Sequence, residues 1–287
     1  MNAFVIARNT LGDALRKRVL LVFLLLALVF LFLALMLNYF TAREQMSMFM
    51  SMSTFVLLIF GAMIAITTAV FLIPNEIENR TIHSVLSKPV RRWEFFLGKF
   101  FGGVLTLGVS LGLISLIVVI VVALLSLKAP TGADPTQVLT QAQQQFNAAE
   151  WWDRASVSGA LVIRSSLVIF FELVLLTAIA TTLSLFLSAT VNFSLTAFIF
   201  IAGSLQDVVA AWGRRNEELA LVPYIAQAFY YVMPHFQDFN IMGNITHPEV
   251  PIAVNHLTYA GLVSVYGLLY AAVVLLLGIV VFDGKEV

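Results

Sequence analysis

Long apolar runs alternate with short polar segments along this chain, and their lengths predict helices that cross a membrane. A helix of roughly 20 apolar residues crosses about 30 Å of hydrocarbon. Runs of this kind predict six spans, at residues 19–38, 53–73, 99–127, 161–187, 191–211 and 258–282. The pattern therefore predicts an all-α polytopic membrane protein whose residues 1–287 form a single transmembrane domain.

Composition supports this fold class and excludes several kinds of function. Hydrophobic residues make up 60% of the chain and charged residues only 11%, whereas a soluble domain carries about 25% charged residues. The formal net charge is zero, which gives no electrostatic reason to expect a nucleic-acid partner. The absence of cysteine excludes disulfides and thiolate metal ligands.

The positions of lysine and arginine predict the orientation. An even number of spans places both termini on one side of the membrane, together with the loop 74–99. That side carries ten of the 16 basic residues, and the other side spreads six over a much greater length. The positive-inside rule therefore places both termini and this loop in the cytoplasm. As a separate expectation, the spans lie in a bacterial cytoplasmic (inner) membrane.

Three segments outside the predicted spans have helical patterns of their own. Residues 1–18 predict an amphipathic helix in the membrane interface, with one apolar face. That face carries Phe4, Ala7, Leu11, Ala14 and Leu15. In the outer segment 128–160, a short amphipathic helix either closes the loop or binds an outer partner. In the outer segment 212–257, the apolar stretch Pro223–Val232 reaches only half a bilayer as a helix, which predicts a re-entrant half-helix.

The chain contains no motif for catalysis or nucleotide binding in the structural context that such a motif needs. No GxxxxGK[ST] or HExxH pattern occurs in the sequence. The GxSxG match at residues 108–112 (GVSLG) lies inside the third predicted span, whereas a catalytic GxSxG lies on a turn between a strand and a helix. We therefore expect that the chain is not an enzyme, and that any ATP-driven work needs another protein.

The loop 74–99 concentrates charge that the rest of the chain lacks. Residues 75–100 contain eight of the 32 charged residues. Within the loop, Thr81–Ser87 predicts a short helix, and Pro89 stops it. One face of this helix carries Ile82, Val85 and Leu86. From the residues alone two interpretations stay open: a solvated positive-inside loop, or an apolar knob ringed by charge that docks into a separate protein.

This loop resembles a known family. Residues 76–99 read E-x-E-x-x-T-I-x-x-x-L-S-K-P-V-x-R-x-x-F-x-x-G-K. The pattern is similar to the loop after the second span in ABC-transporter permeases of the second exporter family (ABC-2 type), in particular the branch described as multicopper-enzyme-maturation permeases. The family often has glycine before the threonine, where this chain has Arg80. Elsewhere the resemblance is architectural, and it extends over the whole chain.

The resemblance implies that Thr81–Ser87 is a coupling helix seated in a separate ATP-binding subunit. Two permeases, identical or different, and two ATPases would make the assembly, within membrane lipid. ATP and Mg²⁺ would bind to the ATPases, and no cofactor to this chain. The ATPase-coupling residues that the resemblance implies are Glu76, Glu78, Thr81, Ile82, Val85, Leu86, Lys88, Pro89, Arg92 and Lys99.

Further candidates lie in or near the predicted spans. Glu172 stands near the middle of the fourth span, where a carboxylate either lines a transport path or makes a buried polar contact. Gln206 and Asp207, near the outer end of the fifth span, are interpreted as interfacial residues. A methionine run before the second span is a weak candidate for soft Cu(I), because methionine is also a pliable apolar residue. The run comprises Met46, Met48, Met50 and Met52.

These observations favour the membrane subunit of an ATP-driven exporter. The alternative is a mechanotransmission subunit, which uses the same stroke to act on an extracytoplasmic partner through the segments 128–160 and 212–257 without moving a solute. An intramembrane enzyme using Glu172 and Asp207 is disfavoured because no nucleophile motif accompanies them. The substrate is not identified by the sequence.

Overall fold

The computed structural model describes residues 3–36, 42–72, 92–126, 148–215, 222–239 and 256–284. Within them the chain is helical, with no strand. The helices are α1 (Ala3–Leu15), α2 (Arg18–Met36), α3 (Ala42–Leu72), α4 (Arg92–Leu125), α5 (Ala148–Leu183), α6 (Ala189–Ser204), α7 (Gln206–Arg215), α8 (Val222–Val232), a 3₁₀ turn (Phe236–Phe239) and α9 (His256–Gly284). The all-α prediction is thus confirmed for the described residues.

Five helices of the described part are long and apolar enough to cross a membrane. They are Arg18–Met36, Met48–Phe71, Trp93–Leu125, Ala155–Leu183 and Thr258–Phe282. The pair α6 and α7 passes the same test together, but it is bent by 58° at Leu205. The chain is a multi-pass membrane protein, and its described residues contain five or six candidate spans.

Helix α5 is the centre of the bundle. It packs against α3, α4, α6 and α9, and its residues from Glu172 to Thr181 are all buried. The hydroxyls of Thr177 and Thr181 donate to the carbonyls of Leu173 and Thr177, each at 2.7 Å. These bonds satisfy polar side chains where no water is present, which makes threonine tolerable inside a membrane helix.

Helix α1 packs on the first turns of α4. The side chains of Ile6, Ala7, Thr10 and Ala14 are buried. Gly102 makes this close packing feasible, because a methyl group at that position would lie 3.1 Å from the carbonyl oxygen of Ala7. Two residues of the predicted apolar face, Ala7 and Ala14, thus lie in the contact with α4.

Two other residues of that face stay exposed on the described protein. Phe4 is 74% exposed and Leu15 is also exposed, although the pattern groups them with Ala7 and Ala14. Burial follows the contact with α4, which a helical wheel of α1 alone does not contain. The predicted interfacial position of α1 stays a prediction.

A short connection, between Leu183 and Ala189, makes α5 and α6 neighbours. The side-chain amide of Asn192 donates to the carbonyl of Ala180 at 3.0 Å. The hydroxyl of Thr196 donates to Oδ1 of Asn192, also at 3.0 Å. Asn192 and Thr196 are fully buried, so this pair fixes the hairpin from inside.

Several helices extend beyond the predicted spans. Helix α4 begins at Arg92 rather than near residue 99, and α5 begins at Ala148 rather than near residue 161. Hydrophobicity marks where a helix meets hydrocarbon, whereas the backbone stays helical beyond that point because polar residues do not break a helix. The predicted fifth span, 191–211, is the bent pair α6 and α7.

We name the two ends of the bundle from the predicted orientation. The inner end carries α1, the start of α4 and the end of α9, where the rings of Phe96 and Phe282 lie 6.3 Å apart. The outer end carries α7, α8 and the 3₁₀ turn.

Candidate functional site

Most of the predicted ATPase-coupling residues lie outside the described residues. These are Glu76, Glu78, Thr81, Ile82, Val85, Leu86, Lys88 and Pro89. Arg92 is the first residue of α4. The two helices that flank this loop, α3 and α4, pack against each other and both pack against α5.

Lys99 lies within α4 rather than at its start. Its side chain is buried, and its ammonium group lies 5.7 Å from the ring centroid of Phe95. Lys17, just before α2, places its ammonium group 5.9 Å from the ring centroid of Phe71, at the end of α3. At the inner end, two lysine ammonium groups thus lie over aromatic rings, whose faces attract a positive charge.

The two lysines are electrostatically coupled. The surrounding protein lowers the pKa of Lys17, the nearby carboxylate of Asp13 opposes that shift, and repulsion from Lys99 adds to it. The positive charge of Lys99 therefore makes protonation of Lys17 less favourable. The inner ends of α1, α3 and α4 meet near these two lysines.

Glu172 lies in the buried middle of α5. Its side chain is 3% exposed, and it makes no hydrogen bond or ion pair with another described residue. The basic side chain on the same helix, Arg164, is exposed. Glu172 is therefore a buried carboxyl group without a counter-ion in the part of the chain that the structure describes.

A short outer turn fills the space between α5, α6 and α9. We call Pro234–Phe239 the outer plug. The side chains of Phe236 and Phe239 are almost completely buried, and because a 3₁₀ helix places residues i and i+3 on the same side, both point into the bundle. The plug contacts α5, α6 and α9.

Two glycines make room for the outer plug. A methyl group at Gly203 of α6 would lie 2.5 Å from Cδ2 of Phe236 and 2.7 Å from the carbonyl oxygen of Pro234. A methyl group at Gly267 of α9 would lie 2.8 Å from Cζ of Phe239. Each phenylalanine ring therefore fills the space that a side chain at the facing glycine would need.

Gln206 fastens the plug to α8. Its side-chain Nε2 donates to the carbonyl of Tyr230 and lies 3.4 Å from the carbonyl oxygen of Met233. The same nitrogen lies 3.4 Å from Nε2 of His235. Gln206 is 1% exposed. Its amide thus satisfies the last carbonyls of α8, which have no partner within the helix.

Helix α9 supports the plug from the other side. The backbone N–H of His235 donates to the hydroxyl of Tyr266 at 3.4 Å, and the hydroxyl of Tyr259 donates to the backbone carbonyl of Asp238 at 3.0 Å. The ring of His235 stands edge-on to that of Tyr230, with centroids 4.7 Å apart. Side chains from α7, α8 and α9 therefore converge on this one turn.

The plug carries one acidic residue, Asp238, whose side chain is exposed while its neighbours Phe236 and Phe239 are buried. Partial burial raises the pKa of Asp238, attraction by His235 opposes that shift, and repulsion from Asp207 adds to it. Asp207, in the first turn of α7, is thus within electrostatic reach of Asp238. The interpretation of Gln206 and Asp207 as merely interfacial is wrong for Gln206, which is buried and bonded to backbone groups.

The described methionines of the run differ in their burial. In the part of the chain described, Met48 is partly buried, Met50 is buried and Met52 is exposed, while the side chain of Met46 lies outside the described residues. Among the described residues, no group of three or more His, Cys, Asp or Glu side chains is placed to hold a metal ion.

Sequence reasoning missed the outer plug as a site. Pro234 and the two phenylalanines three residues apart are visible in the sequence. The glycines against which these rings pack, Gly203 and Gly267, lie on two other helices. A pairing between residues so distant in the chain has no local pattern. Gln206 was noticed only as a polar residue near the end of a span.

A comparison with known families supports the resemblance of the loop. A family model described as ABC-2 family transporter protein matches residues 15–149, a little under half of the chain. The match includes α2, α3, the loop 74–99 and α4. It supports an ABC-2-type permease, the transmembrane subunit of an ABC transporter. Among curated proteins, none matches this chain.

Proposed function

We propose that the chain is the permease subunit of an ABC exporter, which couples ATP hydrolysis by a separate ATPase subunit to export across the cytoplasmic membrane. The observation that carries this proposal is the match of residues 15–149 to the ABC-2 family model, because these residues include the helices on both sides of the loop 74–99. ATP and Mg²⁺ would bind to the ATPases, and two permeases and two ATPases would form the complex.

The helix contacts supply a route for the force. A push on Thr81–Ser87 acts on the ends of α3 and α4, since the loop joins them. Both helices pack along α5, and α5 packs along α9. Packed helices transmit displacement because interiors are dense and deform little. Movement at the inner end would therefore reach the middle of α5, which carries Glu172, our candidate for the transport path.

A second candidate function is mechanotransmission to an extracytoplasmic partner. It is favoured by aromatic side chains that stay exposed at the outer end: Trp212, Tyr224 and Tyr231 are between 55% and 73% exposed. Aromatic residues of this kind are enriched both at protein interfaces and in the membrane interface. A partner that binds there would receive the stroke without a solute crossing.

The test is capture of the ATPase with the permease. The tagged chain is purified from its native membrane, and the bound proteins are identified by mass spectrometry and assayed for ATP hydrolysis. We expect an ATP-binding subunit that is lost in Leu86→Asp and in Arg92→Glu. Arg215→Glu is the matched control, because Arg215 is exposed at the outer end. Capture that survives both inner substitutions would contradict the coupling assignment.

A further inference from the structure

The link between α1 and α2 carries three consecutive basic residues. Arg16 and Lys17 follow the last residue of α1, and Arg18 begins α2. The backbone N–H of Lys17 donates to the carbonyl of Ala14 at 3.0 Å, and that of Leu20 donates to the carbonyl of Lys17 at 3.2 Å. The two helices therefore follow each other through a tight turn, and we call its three basic residues the inner elbow.

The charges around the inner elbow are exposed and mostly positive. Residues 1–36 contain four basic residues, Arg8 and the three of the elbow, against one acidic residue, Asp13. All five side chains are exposed, and none of them forms an ion pair with a described residue. The described part of the chain thus leaves an excess of positive charge here that it does not neutralise.

The ends of the spanning helices place the inner elbow at the edge of the hydrocarbon. The candidate spans begin at Arg18 in α2, end at Phe71 in α3 and begin at Trp93 in α4. The ammonium group of Lys17 lies 5.9 Å from the ring centroid of Phe71, so the elbow and the end of α3 lie at one level. Phe71 and Trp93 are exposed, as aromatic side chains in the headgroup region commonly are. The elbow therefore lies where the phosphates of the membrane lipids are expected.

The surface of α2 next to the inner elbow is apolar and faces outward. Only 17% of this span is buried within the described protein. Its first exposed side chains are between 48% and 62% exposed; they are Val19, Leu21, Val22 and Leu25. Lipid tails are as apolar as leucine side chains, so this surface suits acyl chains. A phospholipid that lies along α2 brings its headgroup to the elbow.

Helix α1 adds a stripe of similar character. Its members repeat at intervals of four, three and four residues, and they therefore share one side of the helix: Phe4, Arg8, Leu11 and Leu15. Phe4, Arg8 and Leu15 are exposed. An arginine in an apolar stripe keeps its stem among acyl chains and its guanidinium group near the phosphates. The stripe is typical of a helix that lies in the membrane interface.

Lys17 has an electrostatic reason to bind an anion. Desolvation by the surrounding protein lowers the pKa of its ammonium group, attraction by Asp13 opposes that shift, and repulsion from Lys99 adds to it. The charged form of Lys17 is therefore less stable than it would be in water. A phosphate group beside it would offset this loss, because an opposite charge within about 4–6 Å favours the charged form.

We infer that the inner elbow binds the headgroup of an anionic phospholipid, with Lys17 and Arg18 on its phosphate and the acyl chains along α2. Contacts of lysine and arginine to phosphate oxygens are strong because both partners are charged, and basic segments beside a span attract anionic lipids. An acidic protein fits less well, because the exposed surface that continues from the elbow along α2 is apolar. The inference does not depend on the proposed exporter, since it concerns the chain by itself in lipid.

Competition between two lipids with the same acyl chains tests this site. The full chain is purified in detergent and incubated with equal amounts of phosphatidylglycerol, which is anionic, and phosphatidylcholine, which is zwitterionic. Native mass spectrometry then counts the lipids of each kind that stay bound. We expect the wild type to retain mainly phosphatidylglycerol. The double variant Lys17→Gln/Arg18→Gln should reduce this preference about tenfold or more, because each basic residue near the membrane surface contributes roughly fivefold.

A matched control removes the same charge from the other end of the bundle. Arg214 and Arg215 are both exposed in the last turn of α7, so Arg214→Gln/Arg215→Gln should keep the lipid preference of the wild type. Lys17→Arg should also keep it, because the positive charge is retained. The unfolding temperature of each variant in detergent checks that its fold is intact.

A second measurement uses the unmodified chain. Acetic anhydride reacts with the uncharged form of an amine, and mass spectrometry gives the labelling rate of Lys17 relative to Lys128 of the predicted outer segment. In nanodiscs this relative rate should fall about threefold or more when phosphatidylglycerol replaces half of the phosphatidylcholine, because a nearby phosphate stabilises the charged amine. Inorganic phosphate added to nanodiscs of phosphatidylcholine should not produce this fall.

Three results would overturn the inference. They are equal retention of the two lipids by the wild type, equal loss of preference in the inner and outer double variants, and protection of Lys17 by inorganic phosphate as strong as that by the lipid. If the inner double variant keeps its lipid preference but loses capture of the ATPase, the elbow is a protein-docking surface instead. If the ATPase is never captured but the lipid preference holds, the exporter proposal fails and the lipid site stands.

Discussion

Helix α9 meets the rest of the molecule at two glycines that stand eleven residues apart, and the two contacts differ in kind. At the inner end, a methyl group at Gly278 would lie 2.8 Å from Cζ of Phe96, a residue of the spanning helix α4. At the outer end, a methyl group at Gly267 would meet Phe239, which belongs to a short turn. The same helix is thus held by a long helix on one side and by a small insert on the other.

The consequence is a difference in how each end can move. Phe96 is held by the whole length of α4, so displacing it disturbs the packing of the bundle. The outer plug is held by Gln206, by two tyrosines of α9 and by its two phenylalanines. A unit with few attachments opens at a lower free energy than the core. The inner end therefore suits transmission of force, and the outer end suits opening.

The strongest test of this difference is at the inner end. Gly278→Val should destabilise the bundle by about 1–3 kcal/mol, because an overpacked core forces neighbours out of their positions. The neighbours are Cζ of Phe96 at 2.8 Å and Oγ1 of Thr182 at 3.0 Å. The unfolding temperature of the purified protein, followed by tryptophan fluorescence, should fall by several degrees.

The same helix offers a matched control. A methyl group at Gly261 would meet nothing within 4 Å, so Gly261→Val should melt close to wild type. If Gly278→Val and Gly261→Val unfold at the same temperature, then Phe96 is not a fixed part of the bundle. The two ends of the bundle would then not differ in how firmly they are held.

At the outer end, overpacking should detach the plug without unfolding the bundle. Gly203→Val and Gly267→Val each displace a phenylalanine of the same turn, at a cost of roughly 1–3 kcal/mol. Hydrogen exchange should accelerate in residues 234–239 and stay slow in α4 and α5. The loss of stability in the double variant should be smaller than the sum of the losses in the two single variants, because either substitution alone already displaces the plug. Additive effects would show that Phe236, at Gly203, and Phe239, at Gly267, are displaced independently of each other.

The bond from Gln206 should have a smaller effect that stays local. Gln206→Leu keeps most of the volume but leaves the carbonyls of Tyr230 and Met233 without this donor, at a cost of about 1–3 kcal/mol for a buried unsatisfied group. Hydrogen exchange in residues 229–235 should accelerate while the unfolding temperature changes little. Gln237→Leu is the control, since Oε1 of Gln237 accepts no hydrogen bond in the described part. Equal effects in both variants would contradict the assigned role of Gln206.

The sequence predicts the parts of this picture that depend on local composition. Apolar run length predicts the spans, and the short link before Asn192 predicts the hairpin of α5 and α6. Glu172 stands out because a charge is rare in such a run. The plug cannot be predicted in this way, because its existence depends on Gly203 and Gly267, which lie more than sixty residues apart. The break at Leu205 was not predicted either, although two polar residues, Gln206 and Asp207, follow it directly.

The smallest expected difference between the two ends comes from the titration of Asp238, because it changes the stability of the plug and leaves the inner end unaffected. Since partial burial raises its pKa, the folded plug binds the proton more tightly than the released one does. The contribution to plug stability is therefore complete below the ordinary aspartate pKa of about 3.9, and it is lost as the pH rises from there through the raised pKa. Asp238→Asn stays neutral throughout and should lose this dependence.

The measurement is the difference in hydrogen-exchange protection of residues 234–239 between Asp238→Asn and wild type, taken at several pH values. The variant should equal wild type at low pH and exceed it slightly at neutral pH. Asp207→Asn should show part of the same gain, because only the repulsion between the two acids is removed. A plug that becomes better protected in wild type as the pH rises would show that Asp238 is stabilised by its charge, and that the outer end is fastened by an ion pair rather than by packing and Gln206.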